Sequence, residues 1–352
     1  MKKIINQIDD IVKEQMEGLV ASRSELKANY EPRFIWHDAS QGKVALVSGG
    51  GSGHEPLHAG FVGKGMLTGA CPGEVFTSPT PDQMYECGQK VNSGEGVLFF
   101  IKNYTGDVLN FETAVELLHA DGVAVGSVLI DDDVAVKDSL YTAGRRGVAG
   151  TVLAEKIVGA AAEKGYSLEK CEELARRINN NCRSFGIALE ACTVPAAGKP
   201  SFTLADNEIE FGVGIHGEPG IERITYEDAD SLVDKMFVEL SENAAYSRVL
   251  RIWDREEGDW REEESTVKNF EADKEYIVLV NGLGATPEGE LYGAYRRLAE
   301  NCEKAGYKIA RNMVGNYCTS LDMQGFSITL LQADEEMLEL FDAPVNTAAM
   351  TW

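Results

Sequence analysis

The sequence predicts an α/β protein of two domains, each with a mixed or largely parallel sheet flanked by helices. Three observations predict this class. Short apolar runs of strand length alternate with longer segments whose apolar residues recur at helical spacing, which is the pattern of βαβ units. With 352 residues, of which 44% are hydrophobic, the chain can bury a sizeable core and is long enough for two domains. The alternation changes near residue 182, so we predict domains of residues 1–182 and 183–352.

The predicted elements of the first domain follow this alternation. Apolar residues at helical spacing predict an amphipathic helix over 4–20. The apolar run 44–47 predicts a buried strand that ends in a glycine loop, and Pro56 suits the first turn of a following helix. Segment 60–81 is rich in turn residues and is predicted to be irregular. The remaining predictions are helix 82–91, strand 96–102, helix 108–119, strand 123–130 and helices 150–164 and 168–179, the last with Ser167 as its N-cap.

The second domain is predicted to begin differently. Two strands, 185–195 and 210–217, are joined by a loop at 196–207 without a helix between them. A long helix is predicted over 226–246, and the charge-dense segment 255–274 is interpreted as a solvated loop or an edge hairpin. The α/β pattern then returns with strand 276–280, helix 289–304 and strands 310–314 and 326–331.

Composition and charge argue against several classes of protein. The chain has 33 basic and 57 acidic residues, a formal net charge of −24, which disfavours binding to nucleic acid or to anionic membranes. The seven cysteines are scattered and never spaced CxxC, which favours reduced thiols over a disulfide framework or a zinc site. The N-terminus lacks an apolar signal region and no apolar run approaches membrane-spanning length, so we expect a cytoplasmic protein.

The first candidate site is the glycine-rich stretch Ser48–Gly53, which is followed by His54. Four glycines in five positions allow backbone amides to approach a ligand closely, although a tight strand-to-helix turn is the alternative. The stretch is not GxGxxG, because His54 stands where the last glycine belongs, and the chain contains no GxxxxGK[ST] loop. His54 either contacts a ligand or is merely solvated. His58 either orients other groups or has no role.

The second candidate site is the glycine-rich stretch at 211–220, FGVGIHGEPG. His216 lies between Gly214 and Gly217 just past an apolar strand, and its small neighbours leave the imidazole accessible to a ligand. We therefore predict a functional histidine at 216. His54 and His58 have HExxH spacing, but the helix is predicted to begin only at Pro56, so we expect no catalytic zinc among the five histidines.

Charged residues follow two of the predicted strands. Asp107 stands between a strand and a helix, where it is either an N-cap or an acid or base at the carboxyl end of the strand. Lys102 either places a positive charge beside the ligand or is solvated. The run Asp131-Asp132-Asp133 suggests magnesium, but consecutive carboxylates point in different directions. We interpret that run as a turn or a partner-facing surface and predict no metal site in this chain.

Several motifs together resemble the dihydroxyacetone kinase family over nearly the whole chain. They are GGGSGHEP, FTSPTPDQMYEC, KNYTGD, FGVGIHGEPG and NYCTSLDMQGFSITLL. ATP-dependent members of this family carry a nucleotide-binding domain after the ketose-binding one, and such a domain is not part of these 352 residues. The resemblance therefore implies no cofactor in this chain, a separate phosphoryl-donor subunit that carries ADP and magnesium, and a homodimer.

The resemblance also implies roles for individual residues. His216 would bind dihydroxyacetone covalently, as a hemiaminal with its C2 carbon. Asp107, with His54, would hold and activate the terminal hydroxyl that accepts the phosphoryl group. The substrate pocket would be lined by Gly51, Ser52, Gly53, His54, Lys102, Asp107 and His216.

Two alternatives remain open from the sequence. Paralogues in this family bind the ketose but serve as transcriptional co-activators, and a sensor needs the same pocket. A kinase subunit for another short ketose, such as erythrulose, would also carry these residues.

Overall fold

The computed structural model describes residues 2–38, 42–137 and 143–352. The helices are α1 (Ile11–Ser22), α2 (Pro81–Val91), α3 (Thr105–Ala120), α4 (Gly150–Glu163), α5 (Leu168–Asn180), α6 (Ala229–Glu242), α7 (Glu288–Ala305) and α8 (Glu335–Phe341). The strands are β1 (Leu26–Tyr30), β2 (Arg33–His37), β3 (Ala45–Ser52), β4 (Gly63–Lys64), β5 (Gly69–Val75), β6 (Val97–Lys102), β7 (Val125–Ile130), β8 (Cys182–Glu190), β9 (Glu208–Phe211), β10 (Glu222–Thr225), β11 (Tyr246–Asp254), β12 (Asp259–Val267), β13 (Glu275–Gly282), β14 (Lys308–Gly315), β15 (Gln324–Ala333) and β16 (Asn346–Thr347).

The first sheet is mixed and has the strand order β1-β2-β5-β3-β6-β7. Strands β5, β3, β6 and β7 are parallel, and β1 and β2 are antiparallel at one edge. Successive side chains of β6 point to opposite faces: Val97, Phe99 and Ile101 pack with α2 and α3, whereas Leu98 and Phe100 pack with α4 and α5. Both faces of the sheet are therefore covered by helices, as expected for parallel strands that are apolar throughout.

The second sheet is also mixed, with the order β10-β9-β8-β15-β13-β14. Its neighbouring strands are antiparallel except for β13 and β14. Tyr276, Val278 and Val280 of β13 pack with α6 and α7, whereas Ile277 and Leu279 join the core around α4. Helix α4 thus lies between the two sheets, and all its residues from 150 to 162 are buried.

The end of the chain returns to elements of the first half of the chain. Helix α8 packs on α4, and β16 pairs with β4. One hydrophobic core therefore contains residues from both halves of the chain. The division into domains 1–182 and 183–352 stays a prediction.

The glycine-rich stretch is not the loop that the sequence suggests. Strand β3 continues through the glycines to Ser52, because they pair in parallel with β5. Strand β5 falls in segment 60–81, so the prediction of an irregular segment is wrong there. Its glycines and Pro72 resemble a turn, and only the neighbouring strands stabilise it as part of the sheet. No α-helix begins at Pro56: turns and a short 3-10 helix, Ala59–Phe61, follow it.

Other boundaries differ from the predicted ones for local reasons. Helix α1 begins at Ile11 rather than near residue 4. Ile4 and Ile8 are exposed, so the apolar residues before Ile11 do not form the buried face of a helix. The strand predicted at 210–217 ends at Phe211, which leaves the following glycines in a loop. The charge-dense segment supplies β12, one strand of a hairpin with β11, as one of the two interpretations expects, but this hairpin is a separate two-stranded sheet.

In the described part of the chain, no helix combines the length and apolar character needed to cross a membrane.

Candidate active site

A cavity of about 590 Å³ opens where the end of β3, the start of α3 and the glycine loop after β9 meet. Three of the predicted site residues, Gly51, Asp107 and His216, line it. Its described lining residues are Gly51, Phe76, Ser78, Tyr104, Thr105, Gly106, Asp107, Ser201, His216, Gly217, Glu218 and Pro219. The other predicted residues, Ser52, Gly53, His54 and Lys102, are buried behind this lining.

The two predicted histidines are in direct contact. His54 Nε2 lies 3.0 Å from His216 Nε2, and His54 Nδ1 lies 2.8 Å from the carbonyl oxygen of Thr319. The His54 side chain has no solvent exposure, whereas 20% of the His216 side chain is exposed. His216 is therefore the member of the pair that a ligand in the cavity can reach.

These contacts assign the proton between the two rings. His54 Nδ1 must donate to the Thr319 carbonyl, because a carbonyl oxygen can only accept. Burial, together with positive charge at His216 and Lys102, lowers the pKa of His54 well below its usual value, so this ring is neutral. His54 Nε2 therefore carries no proton and accepts one from His216 Nε2.

Glu218 contacts the other side of the His216 ring. Its carboxylate accepts the backbone N–H of His216 at 2.9 Å and lies 3.3 Å from His216 Nδ1. Although burial acts to raise it, the hydrogen bond and charge of His216 and the charge of Arg146 lower the pKa of Glu218 to about 2. Each ring nitrogen of His216 thus faces a hydrogen-bond acceptor.

Arg146 connects this region to the aspartate run. Its guanidinium donates to Asp133 at 2.8 Å and to the Gly212 carbonyl at 2.7 Å. Asp132 accepts two backbone N–H groups, and Asp131 is paired with an arginine. All three carboxylates are buried. The interpretation of this run as a turn or a partner-facing surface is therefore wrong.

Asp107 is the third residue of α3, so the N-cap alternative for it is wrong. The N-cap position is occupied by Tyr104, which makes no side-chain cap. Asp107 is 3% exposed and lines the cavity together with Ser78. Burial raises the pKa of Asp107, against the opposing effects of the Lys102 charge and the Ser78 hydroxyl. A buried carboxyl with a raised pKa at a cavity wall is suited to accept a proton.

Lys102 is fully buried, so the alternative of a solvated lysine is wrong. Its Nζ lies 3.0 Å from His58 Nε2. It also lies against β3, because a Cβ atom placed on Gly50 would overlap Nζ. The glycine at position 50 therefore makes room for the ammonium group beneath the cavity.

The other glycines of this stretch also have roles in the folding of the protein backbone itself. A Cβ atom on Gly51 would lie 2.6 Å from the backbone nitrogen of Thr77, so this position must be glycine for the chain to pass. The N–H of Gly53 donates to Glu55 at 2.9 Å, and the hydroxyl of Ser52 donates to a backbone carbonyl at 2.7 Å. The polar groups of Ser52 and Gly53 are thus already engaged within the protein.

Sequence reasoning missed nine of the described lining residues, and four of them with side chains at the cavity wall are Phe76, Ser78, Tyr104 and Glu218. The rings of Phe76 and Tyr104 meet the His216 ring edge-on, with centroids 5.1 and 4.5 Å away. Each of the four lies within a motif quoted for the family resemblance, which is the signal that could have found them. Glu218 is the clearest case, because it is two residues from His216 in the same glycine loop.

The described residues do not favour metal binding or thiol chemistry. Within the described residues, no three His, Cys, Asp or Glu side chains come together as metal ligands. The cysteines are free and buried, and burial raises the pKa of the Cys318 thiol to about 12. A buried thiol of this kind is inert rather than nucleophilic.

Comparison with known proteins decides the family. Residues 17–349 match the Dak1 domain. The chain belongs to the Dak1 family. This assignment confirms the resemblance to dihydroxyacetone kinases.

The chain is similar to the following curated relative and two solved structures. The dihydroxyacetone-binding subunit DhaK of the PEP-dependent dihydroxyacetone kinase of Escherichia coli is 62% identical, with 100% of this chain and 99% of that protein covered. The dihydroxyacetone kinase of C. freundii in complex with AMP-PNP and Mg²⁺ is 31% identical with a TM-score of 0.85, and the match spans 99% of this chain but 60% of that one. The dihydroxyacetone kinase operon co-activator DhaQ is 33% identical with a TM-score of 0.84, and 98% of both chains are covered.

Proposed function

We propose that this chain is the dihydroxyacetone-binding subunit of a PEP-dependent dihydroxyacetone kinase. The enzyme transfers a phosphoryl group to a terminal hydroxyl of dihydroxyacetone and gives dihydroxyacetone phosphate. The observation that carries the proposal is the His54–His216 pair at a cavity that Asp107 also lines. The 62% identity to the E. coli subunit over the full chain supports it.

The first step is the addition of His216 Nε2 to the C2 carbonyl of dihydroxyacetone. His54 Nε2 accepts the Nε2 proton of His216, which frees the lone pair that forms the N–C bond. The carbonyl π electrons move to oxygen, and the protonated His54 then gives its proton to that oxygen. The product is a hemiaminal, and His54 returns to its neutral form. Burial lowers the pKa of His54 well below its usual value, which favours this return.

Glu218 stabilises the charge that this addition creates. When Nε2 forms the N–C bond, the His216 ring becomes positive while Nδ1 keeps its proton. The Glu218 carboxylate, 3.3 Å from Nδ1, is already ionised and in place, so little reorganisation is needed. Its contact with the backbone N–H of His216 also fixes the loop that carries the nucleophile.

Asp107 serves the second step. It accepts the proton of a terminal hydroxyl while that oxygen attacks the phosphorus of the donor, and the bond between phosphorus and its former oxygen breaks. A separate subunit with ADP and magnesium would supply the phosphoryl group. The structure favours a division of labour in which His54 serves the carbonyl, because His54 contacts His216, and Asp107 serves the hydroxyl. Phosphoryl transfer depends mainly on positioning and charge neutralisation, so the substrate and the nucleotide can be held by two proteins.

Covalent capture also provides specificity. Glycerol has similar size and the same terminal hydroxyls, so hydrogen bonds separate it poorly from dihydroxyacetone. A nucleophile that must add to a carbonyl rejects glycerol by its chemistry. The adduct then holds the hydroxyl at a high effective concentration near the donor.

The test is reconstitution of the phosphotransfer. The purified chain is mixed with the donor subunit, the phosphotransferase components that recharge it, phosphoenolpyruvate and dihydroxyacetone, and dihydroxyacetone phosphate is measured. We expect product only when every component is present. A chain that forms the adduct but gives no product, with a donor subunit shown to be active on another ketose-binding subunit, would instead be a co-activator like DhaQ. Erythrulose in place of dihydroxyacetone tests the other short ketose.

We also propose that the subunit is cytoplasmic and forms a homodimer, as the resemblance implies. Light scattering of the purified chain would measure its mass, and a monomer at micromolar concentration would contradict the dimer.

A further inference from the structure

A second group of buried polar residues lies beneath the cavity, and the reaction outlined above does not use it. It consists of Glu155 on α4, His58 after β3, and Lys102 at the end of β6. Glu155 Oε1 lies 2.6 Å from His58 Nδ1, and His58 Nε2 lies 3.0 Å from Lys102 Nζ. Glu155 and Lys102 have no solvent exposure, and His58 is 6% exposed. Burying three ionisable groups is costly unless they serve one another or a ligand.

The hydrogen bonds allow one arrangement of protons when Lys102 is charged. An ammonium group can only donate, so His58 Nε2 must be an acceptor without a proton. Burial and the Lys102 charge lower the pKa of His58 well below its usual value, so the ring is neutral and its single proton is on Nδ1. Nδ1–H then donates to Glu155 Oε1. Because burial raises the pKa of Glu155 well above its usual value, this group can accept as a neutral carboxyl, with its own proton on the other oxygen.

The ammonium end of this group points toward the active site. A Cβ atom placed on Gly50 would overlap Lys102 Nζ and would lie 3.6 Å from both Asp107 Oδ2 and His58 Nε2. The three polar atoms thus converge on the single position of β3 where glycine leaves room for them. The Lys102 charge acts on Asp107 from there, where it opposes the effect of burial on the carboxyl.

We infer that Glu155 and His58 are positioning residues, which fix the Lys102 ammonium beside Gly50 and Asp107. Glu155 holds His58 in its Nδ1–H tautomer, and the free Nε2 lone pair then holds the ammonium. This inference rests on the proposed function, in which Asp107 serves phosphoryl transfer. Without the Glu155 acceptor, the proton of His58 can move to Nε2, where it repels the ammonium and displaces it from Asp107.

The tautomer is measured first, on the wild-type protein. Long-range proton–nitrogen spectra of nitrogen-15-labelled protein distinguish the tautomers, and with five histidines in the chain the His58 signals can be assigned by their loss in His58→Gln. We expect a neutral His58 ring with its proton on Nδ1. An imidazolium, or a ring with its proton on Nε2, would overturn the inference. This measurement needs no donor subunit, so it stands even if the proposed kinase activity fails.

Paired substitutions then test the effect on turnover. Glu155→Gln keeps a carbonyl oxygen that can accept from Nδ1–H, whereas Glu155→Leu removes the acceptor. We expect kcat of Glu155→Leu to fall at least about tenfold below that of Glu155→Gln, since misplacement by about 1 Å can cost ~10²-fold. The His216 adduct, which carbon-13 NMR of bound dihydroxyacetone detects as a tetrahedral C2, should persist in both variants. Glu163→Leu, at the exposed end of the same helix, controls for the loss of a carboxylate and should keep the wild-type kcat.

Two outcomes would contradict this role. Equal kcat values for Glu155→Gln and Glu155→Leu would show that the acceptor does not matter. Loss of the His216 adduct together with kcat would mean that the group supports the fold of the whole site. If Glu155→Leu does not fold by its melting temperature, His58→Gln and His58→Leu repeat the comparison, because glutamine can both donate to Glu155 and accept from Lys102.

Discussion

His54 and His216 are 162 positions apart in the chain, yet their Nε2 atoms lie 3.0 Å apart. The sequence marks each of them by a glycine-rich neighbourhood, and the family resemblance relates both to one substrate. The sequence gives no sign that the two rings are in contact, because β3 and the loop after β9 meet only through the packing of two sheets. The sequence is also ambiguous about Asp107. Its position between a strand and a helix suggests an N-cap, whereas in the structure it lies in the first turn of α3.

Replacement of His216 by alanine should abolish covalent capture without unfolding the protein. The ring is partly exposed and lies in a loop, so its loss leaves the hydrophobic cores intact. Carbon-13 NMR of bound dihydroxyacetone should show a tetrahedral C2 in the wild type. In His216→Ala the ketone resonance should remain. A ketone resonance that persists in the saturated wild-type complex would contradict the hemiaminal.

Asp107→Asn should separate capture from transfer. Asparagine keeps the shape of the side chain but cannot accept the hydroxyl proton, and general-base contributions are typically ~10²–10⁴-fold. We expect phosphate transfer to slow at least about a hundredfold while the His216 adduct persists. The assay is the reconstituted one, with the donor subunit in excess. Glu116→Gln, on the exposed face of the same helix, should transfer at the wild-type rate, and near-normal transfer by Asp107→Asn would leave the base unassigned.

At the scale of elements, the long apolar and helical patterns are predictable and the glycine-rich ones are not. Strand β6 and helices α4 and α5 agree with the prediction because their residues alone define a buried strand or a helix face. Strand β5 is missed because its glycines and Pro72 have no strand pattern of their own, and pairing with β3 supplies the stability. The hairpin of β11 and β12 is foreseen only as one alternative, since its charged residues do not show what it packs against.

That hairpin packs on the core beside helix α3 through Trp253. The side chain is 4% exposed, and its ring lies 5.2 Å from that of His119 and 5.1 Å from that of Trp260. An isolated two-stranded hairpin is marginally stable in water, so this packing must hold it in place. The hairpin also packs beside β7, the edge strand of the first sheet, which shields that edge from other chains.

Trp253→Ala should therefore lower the free energy of unfolding by about 3–5 kcal/mol, the usual cost of truncating a buried tryptophan. Denaturant unfolding measures the difference. Val249→Ala on the same strand is the matched control, because Val249 is 57% exposed and should change stability by less than about 0.5 kcal/mol. Similar values for the two variants would mean that the hairpin contributes little to the fold.

At the scale of the whole molecule, the two sheets share helix α4, and the end of the chain closes over it. Composition predicts the size of the core but not this arrangement, because long-range packing leaves no periodic signal in the sequence. Lys156 of α4 illustrates the result. Its Nζ lies 4.8 Å from the Phe341 ring and 4.6 Å from the Trp352 ring, and it has no hydrogen-bond partner among the described residues.

The charge on Lys156 links this packing to pH. Burial lowers the pKa of Lys156 to about 8, against the weaker effect of Asp342, whereas an unfolded lysine titrates near 10.4. The two aromatic rings attract the ammonium and offset part of the burial cost. Between about pH 8 and pH 10.4 the unfolded chain binds more protons than the folded one, so this group makes stability rise with pH across that window. Below about pH 8 both states are charged, and the full cost of burying the ammonium remains.

Lys156→Met should therefore stabilise the protein at pH 7, because methionine fills the space between the rings without a buried charge. The gain should shrink as the pH rises from about 8 to 10.4, since the wild-type lysine loses its proton there and its penalty with it. Urea unfolding of both proteins at several pH values measures this difference, and the titration of other groups is common to the two. Lys164→Met, just after α4 and exposed, should show neither the gain nor its pH dependence. A Lys156→Met protein that is less stable at pH 7, with a difference that does not change up to pH 10, would show that the cation–π contacts outweigh burial and that the ammonium fastens the chain end onto α4.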